Sequence, residues 1–197
     1  MYKYKINSRT ILGDLHTPVS TYLKLRDLYP QSALMESSDY HGSENNRSFI
    51  GIDPIANISI GHGLVETSFP NREKTTRAID SNYRVDMAIN DFIKQFDVDG
   101  EYKKYCGFYG YTTFNAVRYF ENIPVKDSKA EKNDAPDMCY IFYKYIIVFN
   151  DFKHEMLLLE LLEDGEVSQM DKIEAKISGN NFSIYNFSAV GETTSTL

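Results

Sequence analysis

Glu36, Ser37 and Ser38 stand together just after a short apolar run, Ala33 to Met35. Arg47 and Ser48 stand just before a second apolar run that ends at Ile52. The pattern is strand, polar loop, strand, with a carboxylate and hydroxyls where the first strand ends. Such a corner can aim charge, hydroxyls and unpaired backbone groups at one small polar ligand. An ordinary solvated hairpin loop has the same composition, since connections carry polar residues in any case.

Elsewhere the sequence proposes no catalytic chemistry. Four histidines, His16, His41, His62 and His154, never fall at i and i+4. No His-Glu-x-x-His, paired cysteine motif, P-loop or nucleophile elbow occurs. Gly61-His62-Gly63 is followed by a strand pattern rather than a helix, so it reads as a hairpin turn and not a phosphate cradle. Carboxylates number 28, and pairs such as Asp151 and Glu155 have no spacing that singles out acid–base work. Cys106 and Cys139 fit no zinc spacing and make no disulfide framework, which suggests reduced thiols in a cytoplasmic protein.

Bulk composition narrows the class. The chain of 197 residues carries a net charge of −7, which argues against a nucleic-acid footprint and against an anionic-membrane anchor. Its start has no apolar signal core, and no apolar run approaches the ~18 residues of a membrane span. Fifteen Tyr and twelve Phe with no Trp suggest aromatic-rich sheets.

The elements that would position the polar corner follow from patterning. Tyr2–Ile6 and Thr10–Leu12 read as strands. Thr17 and Pro18 form a helix start, with a stop near Tyr29-Pro30. Ser48–Ile52 is expected to end at Asp53-Pro54, with Ile55–Ile60 and Leu64–Phe69 forming a separate hairpin. Residues 70 to 82 read as loop. Val85, Ala88, Ile89, Phe92, Ile93 and Phe96 recur at helical spacing up to Asp99-Gly100. Tyr105–Tyr111 is a strand whose glycines imply close backbone packing, and Phe114–Glu121 a helix, with an Arg118–Glu121 ion pair across one turn. Met138–Phe149 and Glu155–Leu162 give the strongest hairpin signal. Ser168–Ile177 reads as a last helix and Phe182–Tyr185 as a weak strand. Hairpins without regular βαβ alternation indicate an α+β class with antiparallel sheets and peripheral helices.

The segment Leu34-Met35-Glu36-Ser37, ten residues, then Ser48 resembles the Leu-Leu-Glu-Ser, ten-residue gap, Ser element of anthranilate synthase component I. Met35 replaces a leucine, a conservative apolar exchange. GFYGYTTFNAVRYFE, from Gly107 to Glu121, then Pro124, is similar to that family's Gly-x-x-Gly-Tyr, Tyr-Asp-x-Val-Arg-Tyr-Phe-Glu, Pro stretch. Phe114-Asn115 stands where the family has Tyr-Asp, so no role of that hydroxyl or carboxylate carries over. Asp137-Met138-Cys139 resembles its Pro-Asp-aromatic-Cys run.

The resemblance covers nearly the whole chain and less than half of the family's usual length. It implies an orthogonal β-sandwich, with residues 1–189 as the amino-terminal regulatory domain and 190–197 as the start of a linker to a chorismate-binding domain. It implies that the full-length enzyme makes anthranilate and pyruvate from chorismate and ammonia or glutamine nitrogen, with Mg²⁺. It also implies that Glu36, Ser37, Arg47 and Ser48 contribute part of an L-tryptophan feedback site. The catalytic and metal residues would lie in the other domain, leaving this chain alone inactive and without cofactor. The implied partner is the glutamine amidotransferase subunit, component II. The face that packs on the catalytic domain, if uncovered, is expected to self-associate. Two further readings stand: the matching part of aminodeoxychorismate synthase component I, and a free-standing amino-acid-binding module.

Overall fold

The protein is described by a computed structural model covering residues 1–37, 46–125, 135–150 and 152–181, with single residues at 185, 188, 190 and 191. The polar loop after Ser37, the end of the chain after residue 191 and most of the expected strand Phe182–Tyr185 lie outside the described residues.

Nine strands and three α-helices make up the described chain. The strands are β1 (Tyr2–Leu12), β2 (Ala33–Met35), β3 (Arg47–Gly61), β4 (Leu64–Ser68), β5 (Lys74–Ala78), β6 (Phe96–Asp99), β7 (Phe108–Thr112), β8 (Met138–Asn150) and β9 (Glu155–Leu162). The helices are α1 (Pro18–Leu25), α2 (Val85–Ile93) and α3 (Met170–Ser178), and two 3₁₀ turns span Lys103–Tyr105 and Phe114–Tyr119. The class is α+β and rich in sheet. Hydrogen bonding runs through one sheet in the order β5-β4-β3-β8-β9-β1-β6, with β2 added to β3 and β7 to β8. The sequence suggests separate sheets, but β3 and β8 are long enough to belong to both halves. Every pairing is antiparallel except β1 with β6, which run parallel.

That sheet cannot be flat. From β4 to β6 there are five strand spacings along the path, or roughly 24 Å in an untwisted sheet. Yet Phe69, just past β4, lies 6.5 Å from Phe96 of β6, ring centre to ring centre. The sheet therefore curls over an aromatic core of Phe92, Phe96, Phe108 and Phe142, whose rings meet at 4.9–5.5 Å. α2 closes this core with Val85, Ala88 and Phe92. α1 and α3 cover the other end, where Leu25, Met170, Ile173 and Ile177 meet Ile50, Ile52, Ile147 and Leu158. The opposite face of that end, with Ile146, Val148 and Leu159, packs against Tyr102, Tyr105 and Tyr109. Both faces of β8 are thus covered, which is why its sequence shows no polar alternation.

Several local expectations hold. Thr17 caps α1 in a reciprocal box with Ser20, and Pro18 opens the helix. The β3–β4 turn uses positive φ at His62 and Gly63. Others need correction. Tyr2–Leu12 is one strand, because β9 pairs it continuously from Lys5 to Leu12. α1 ends at Leu25 rather than near Tyr29, where the chain turns on bonds from the Leu28 and Tyr29 amides to the Leu25 carbonyl. Lys74–Ala78 is a strand because β4 offers it an edge. Phe96 belongs to β6 and not to the helix. Phe114–Tyr119 is a 3₁₀ turn. The Arg118 guanidinium lies 3.8 Å from Asp137 and donates to the Asn115 carbonyl, in place of the expected Glu121 pair. Asp137 also accepts from Tyr119 at 2.8 Å.

Asp53-Pro54 does not end β3. The register against β8 shifts between Pro54 and Ala56, so the pair forms an irregularity inside one strand, where proline is tolerated. Asp53 there has φ 60, a conformation aspartate and asparagine visit more readily than other side chains. Its carboxylate lines a cleft of ≈590 Å³ with Tyr4, Lys144, Glu163 and Glu166. Burial raises its pKa above 3.8, Glu166 adds to the rise and Lys144 opposes it. The folded state therefore binds this proton more tightly than the unfolded chain. Stability is unaffected below the unfolded value and falls as pH rises through the raised value. Asp53→Asn keeps the left-handed backbone and removes the titration. We expect it to melt higher than the wild type at neutral pH, with the gap closing below pH 3.8. A gap that stays constant in thermal melts across that range would contradict the assignment.

Candidate ligand site at the strand ends

β2 pairs with β3 through Ala33 with Gly51, Leu34 with Ile50 and Met35 with Phe49. Extending that register carries Glu36 and Ser37 toward Ser48 and Arg47. The Ser37 amide donates to the Ser48 hydroxyl at 3.2 Å. Ser48 is only 1% exposed, so this bond satisfies a hydroxyl that would otherwise be costly to bury. Ser37 and Arg47 are half-buried, and Glu36 is exposed. This bond joins Ser37 and Ser48, two of the four residues expected at the site, while the Arg47 side chain bonds Tyr105. Glu36 is adjacent in the chain on the solvent side.

The sequence reading misses Tyr105. The Arg47 Nε donates to its hydroxyl at 2.9 Å. Tyr105 sits on the 3₁₀ turn that Tyr102 opens at φ 68, and its carbonyl accepts from the Tyr109 hydroxyl at 2.5 Å. Phe49 lies 5.9 Å from the Tyr105 ring and 5.7 Å from the Tyr109 ring. Tyr102 stacks on Tyr105 at 6.4 Å, and the Lys104 ammonium lies 4.9 Å from the Tyr105 ring centre. The only signal in the sequence is the spacing of Tyr102, Tyr105 and Tyr109, which at three and four residues brings rings to one side of a helical turn.

The Arg47 guanidinium lies with the aromatic wall of Phe49, Tyr105 and Tyr109, while Ser48, next along β3, points to the opposite face, where its buried hydroxyl accepts from the Ser37 amide. Burial pushes the neighbouring Cys106 thiol up to about 12, so it remains protonated and unreactive at neutral pH. Among the described residues no three His, Cys, Asp or Glu side chains converge to bind a metal ion. Nor is any helix among them long and apolar enough to cross a membrane.

No family model matches the chain. Among curated proteins it is similar to anthranilate synthase component 1 of Thermus thermophilus, with 27% identity over 164 residues, covering 80% of this chain and 31% of that protein. The protein of the same name from Pseudomonas putida is 25% identical over 169 residues, covering 85% of this chain and 34% of its own length. That from Acinetobacter calcoaceticus is 28% identical over 163 residues, covering 77% and 31%. The chain spans about a third of the length of these relatives. A solved structure of anthranilate synthase component I from Streptococcus pneumoniae aligns with a TM-score of 0.42 and 20% identity over 86% of this chain and 34% of that one. The resemblance read from the sequence to anthranilate synthase component I is thus shown.

Proposed function

We propose that this chain, a sequence relative of anthranilate synthase component 1, is the regulatory amino-terminal part of such an enzyme and carries part of an L-tryptophan site at Glu36, Ser37, Arg47 and Ser48. The full enzyme would be a lyase of tryptophan biosynthesis, taking chorismate to anthranilate and pyruvate with a glutamine amidotransferase subunit as partner. The curled sheet would be the orthogonal sandwich of the family, and the ligand would sit at its strand ends. The observation that carries the reading is the Ser37–Ser48 bond beside Arg47, which sets the Glu-Ser pair of the resembling motif against its distant Ser. In this reading the Arg47 guanidinium would face a ligand carboxylate next to rings that suit an indole, and the Ser37 hydroxyl and the exposed Glu36 carboxylate would face its ammonium.

The chain contains no Trp, so added tryptophan is the only indole present and its fluorescence anisotropy reports binding without background. Titrating protein into L-tryptophan should raise the anisotropy with weak affinity, Kd on the order of 1 mM. Amide shifts at Ser37, Arg47 and Ser48 should follow the same curve. Ser37→Phe places a ring in the packed corner, at a cost of about 1–3 kcal/mol, and should weaken binding about tenfold or more. Unchanged affinity in Ser37→Phe, or shifts confined to other residues, would remove the site from this corner.

A further inference from the structure

We propose that the cleft at the β3 irregularity is a separate binding site for an elongated zwitterion, which gives its ammonium to Asp53 and its carboxylate to Arg72 and Lys74. Asp53 lies five residues along β3 from Ser48, roughly 16 Å at the usual strand rise. The cleft is thus distinct from the corner at the strand ends and independent of the tryptophan reading. Its volume of ≈590 Å³ falls in the roughly 300–1,000 Å³ range of small-molecule sites. Strand order separates its charges. Arg72 lies in the β4–β5 turn and Lys74 opens β5. Ile55, Phe69 and Pro70 form an apolar middle. Asp53 lies on the other side, within electrostatic reach of Lys144 on β8 and of Glu166 after β9. β5 stands two strands away from β3, about 10 Å between backbones, so the matching ligand carries its charges at its two ends.

On the acidic side, the other charged groups already have partners within the protein. Lys144 bonds Glu166. Glu166 also accepts from the Glu163 amide at 3.1 Å, and Glu163 accepts from the Tyr4 hydroxyl at 3.3 Å. Asp53 differs from them. It is half-buried, and among the described residues its carboxylate accepts no hydrogen bond and forms no salt bridge. A partly buried carboxylate without a donor is costly, and a ligand ammonium supplies that donor. On the other side, Arg72 and Lys74 are exposed, and among the described residues their side chains hold no hydrogen bond or salt bridge. A simple amine would meet their repulsion, and a simple carboxylate that of Asp53. A molecule with both groups and an apolar body between them complements the whole cleft.

The test uses the whole chain and three probes of one length: 6-aminohexanoate, hexylamine and hexanoate. In ¹⁵N-edited NMR titrations, 6-aminohexanoate should shift the amides of Asp53, Ile55 and Phe69. It should bind about tenfold more tightly than hexanoate, which lacks the ammonium, and about threefold more tightly than hexylamine, which meets only exposed cations. Asp53→Asn keeps the left-handed backbone. It should weaken 6-aminohexanoate about tenfold and abolish its advantage over hexanoate. Arg72→Gln combined with Lys74→Gln alters two exposed side chains and leaves the core untouched. It should weaken 6-aminohexanoate about threefold and erase its advantage over hexylamine. Equal binding of 6-aminohexanoate and hexanoate, unchanged affinity in Asp53→Asn, or no shift at the cleft amides overturns the proposal. Shifts confined to Ser37, Arg47 and Ser48 would place the zwitterion at the strand ends and overturn it as well.

Discussion

Gly110→Ala is expected to detach β7 from β8. A Cβ at Gly110 would lie 1.8 Å from the Cys139 carbonyl oxygen and 2.8 Å from its carbon. Both are backbone atoms of a strand paired with β3 over its length, so β8 cannot yield. β7 must move, and its five-residue ladder from Phe108 to Thr112 goes with it. Phe108 would leave the aromatic core, where it meets Phe92, Phe96 and Phe142. Overpacking of this kind costs about 1–3 kcal/mol, and truncating a buried aromatic contact set adds about as much again. The loss of about 4 kcal/mol implies a fall in melting temperature of about 8–16 °C for a chain of this size. Gly107→Ala is the control. It lies in the same glycine-containing stretch, but nothing stands within 4 Å of the point its methyl would occupy, and its stability should stay within about 0.5 kcal/mol of wild type. Urea melts of the two variants, with amide exchange at Phe108 and Tyr140, decide the matter. Equal stability of the two would show that β7 is not held against β8 as described.

Glu160→Leu should release α3. Glu160 is a carboxylate with 0% exposure. It accepts from the Gln169 amide at 2.8 Å, from the Ser168 hydroxyl and from the Asn7 side chain at 3.3 Å. It also bonds Tyr145, whose pKa is raised first by burial and then by this charge. Gln169 gives α3 no side-chain cap of its own, so the strand carboxylate occupies the start of the helix, where negative charge is favoured. Leucine fills the volume and leaves the Gln169 amide and the three other donors without this buried acceptor. Hydrogen bonds to charged groups contribute about 1.5–3 kcal/mol each, and a loss of about 3–5 kcal/mol is expected from removing this set. Met170, Ile173 and Ile177 would then lift from the core over Ile147 and Leu158, and amide protection in α3 should fall before that in β8. Glu160→Gln, which keeps an acceptor oxygen, should lose less. If α3 stays as protected in Glu160→Leu as in wild type, the carboxylate is not what holds it.

The contrast between Gly107 and Gly110 shows how far the sequence reaches. Two glycines in an aromatic strand indicate close backbone approach, but only the register of β7 on β8 tells which one needs it. Asp53-Pro54 shows the same limit from the other side. The pair carries every local mark of a stop, yet β8 is long enough to pair on both sides of it, and tertiary hydrogen bonds override the signal. α2 is legible because its apolar spacing is long and regular. Lys74–Ala78 is not, since its five residues are all exposed and its strand character comes from the open edge of β4. At the strand ends, the approach of Ser37 to Ser48 is legible from two short strands joined by a polar loop. Tyr105 is not, because 58 positions separate it from Arg47 and only the fold brings them together.

The position of β8 in the chain also governs the order of assembly. β3 has β4 and the short β2 as neighbours from early in the chain, but its remaining partner starts at Met138. β1 begins at Tyr2 and waits for β9, whose pairing with it joins residues as far apart as Lys5 and Leu162. During synthesis at about 5–20 residues per second, the first strand therefore remains without its antiparallel partner for on the order of ten seconds by that rate. Closing loops of this length before their contacts form is entropically costly, and sheets dominated by distant pairings fold slowly. Until the β8–β9 hairpin emerges, β1 and β3 each leave a row of backbone N–H and C=O groups unpaired, and this interval is where a nascent chain would depend on chaperones rather than on its own sheet.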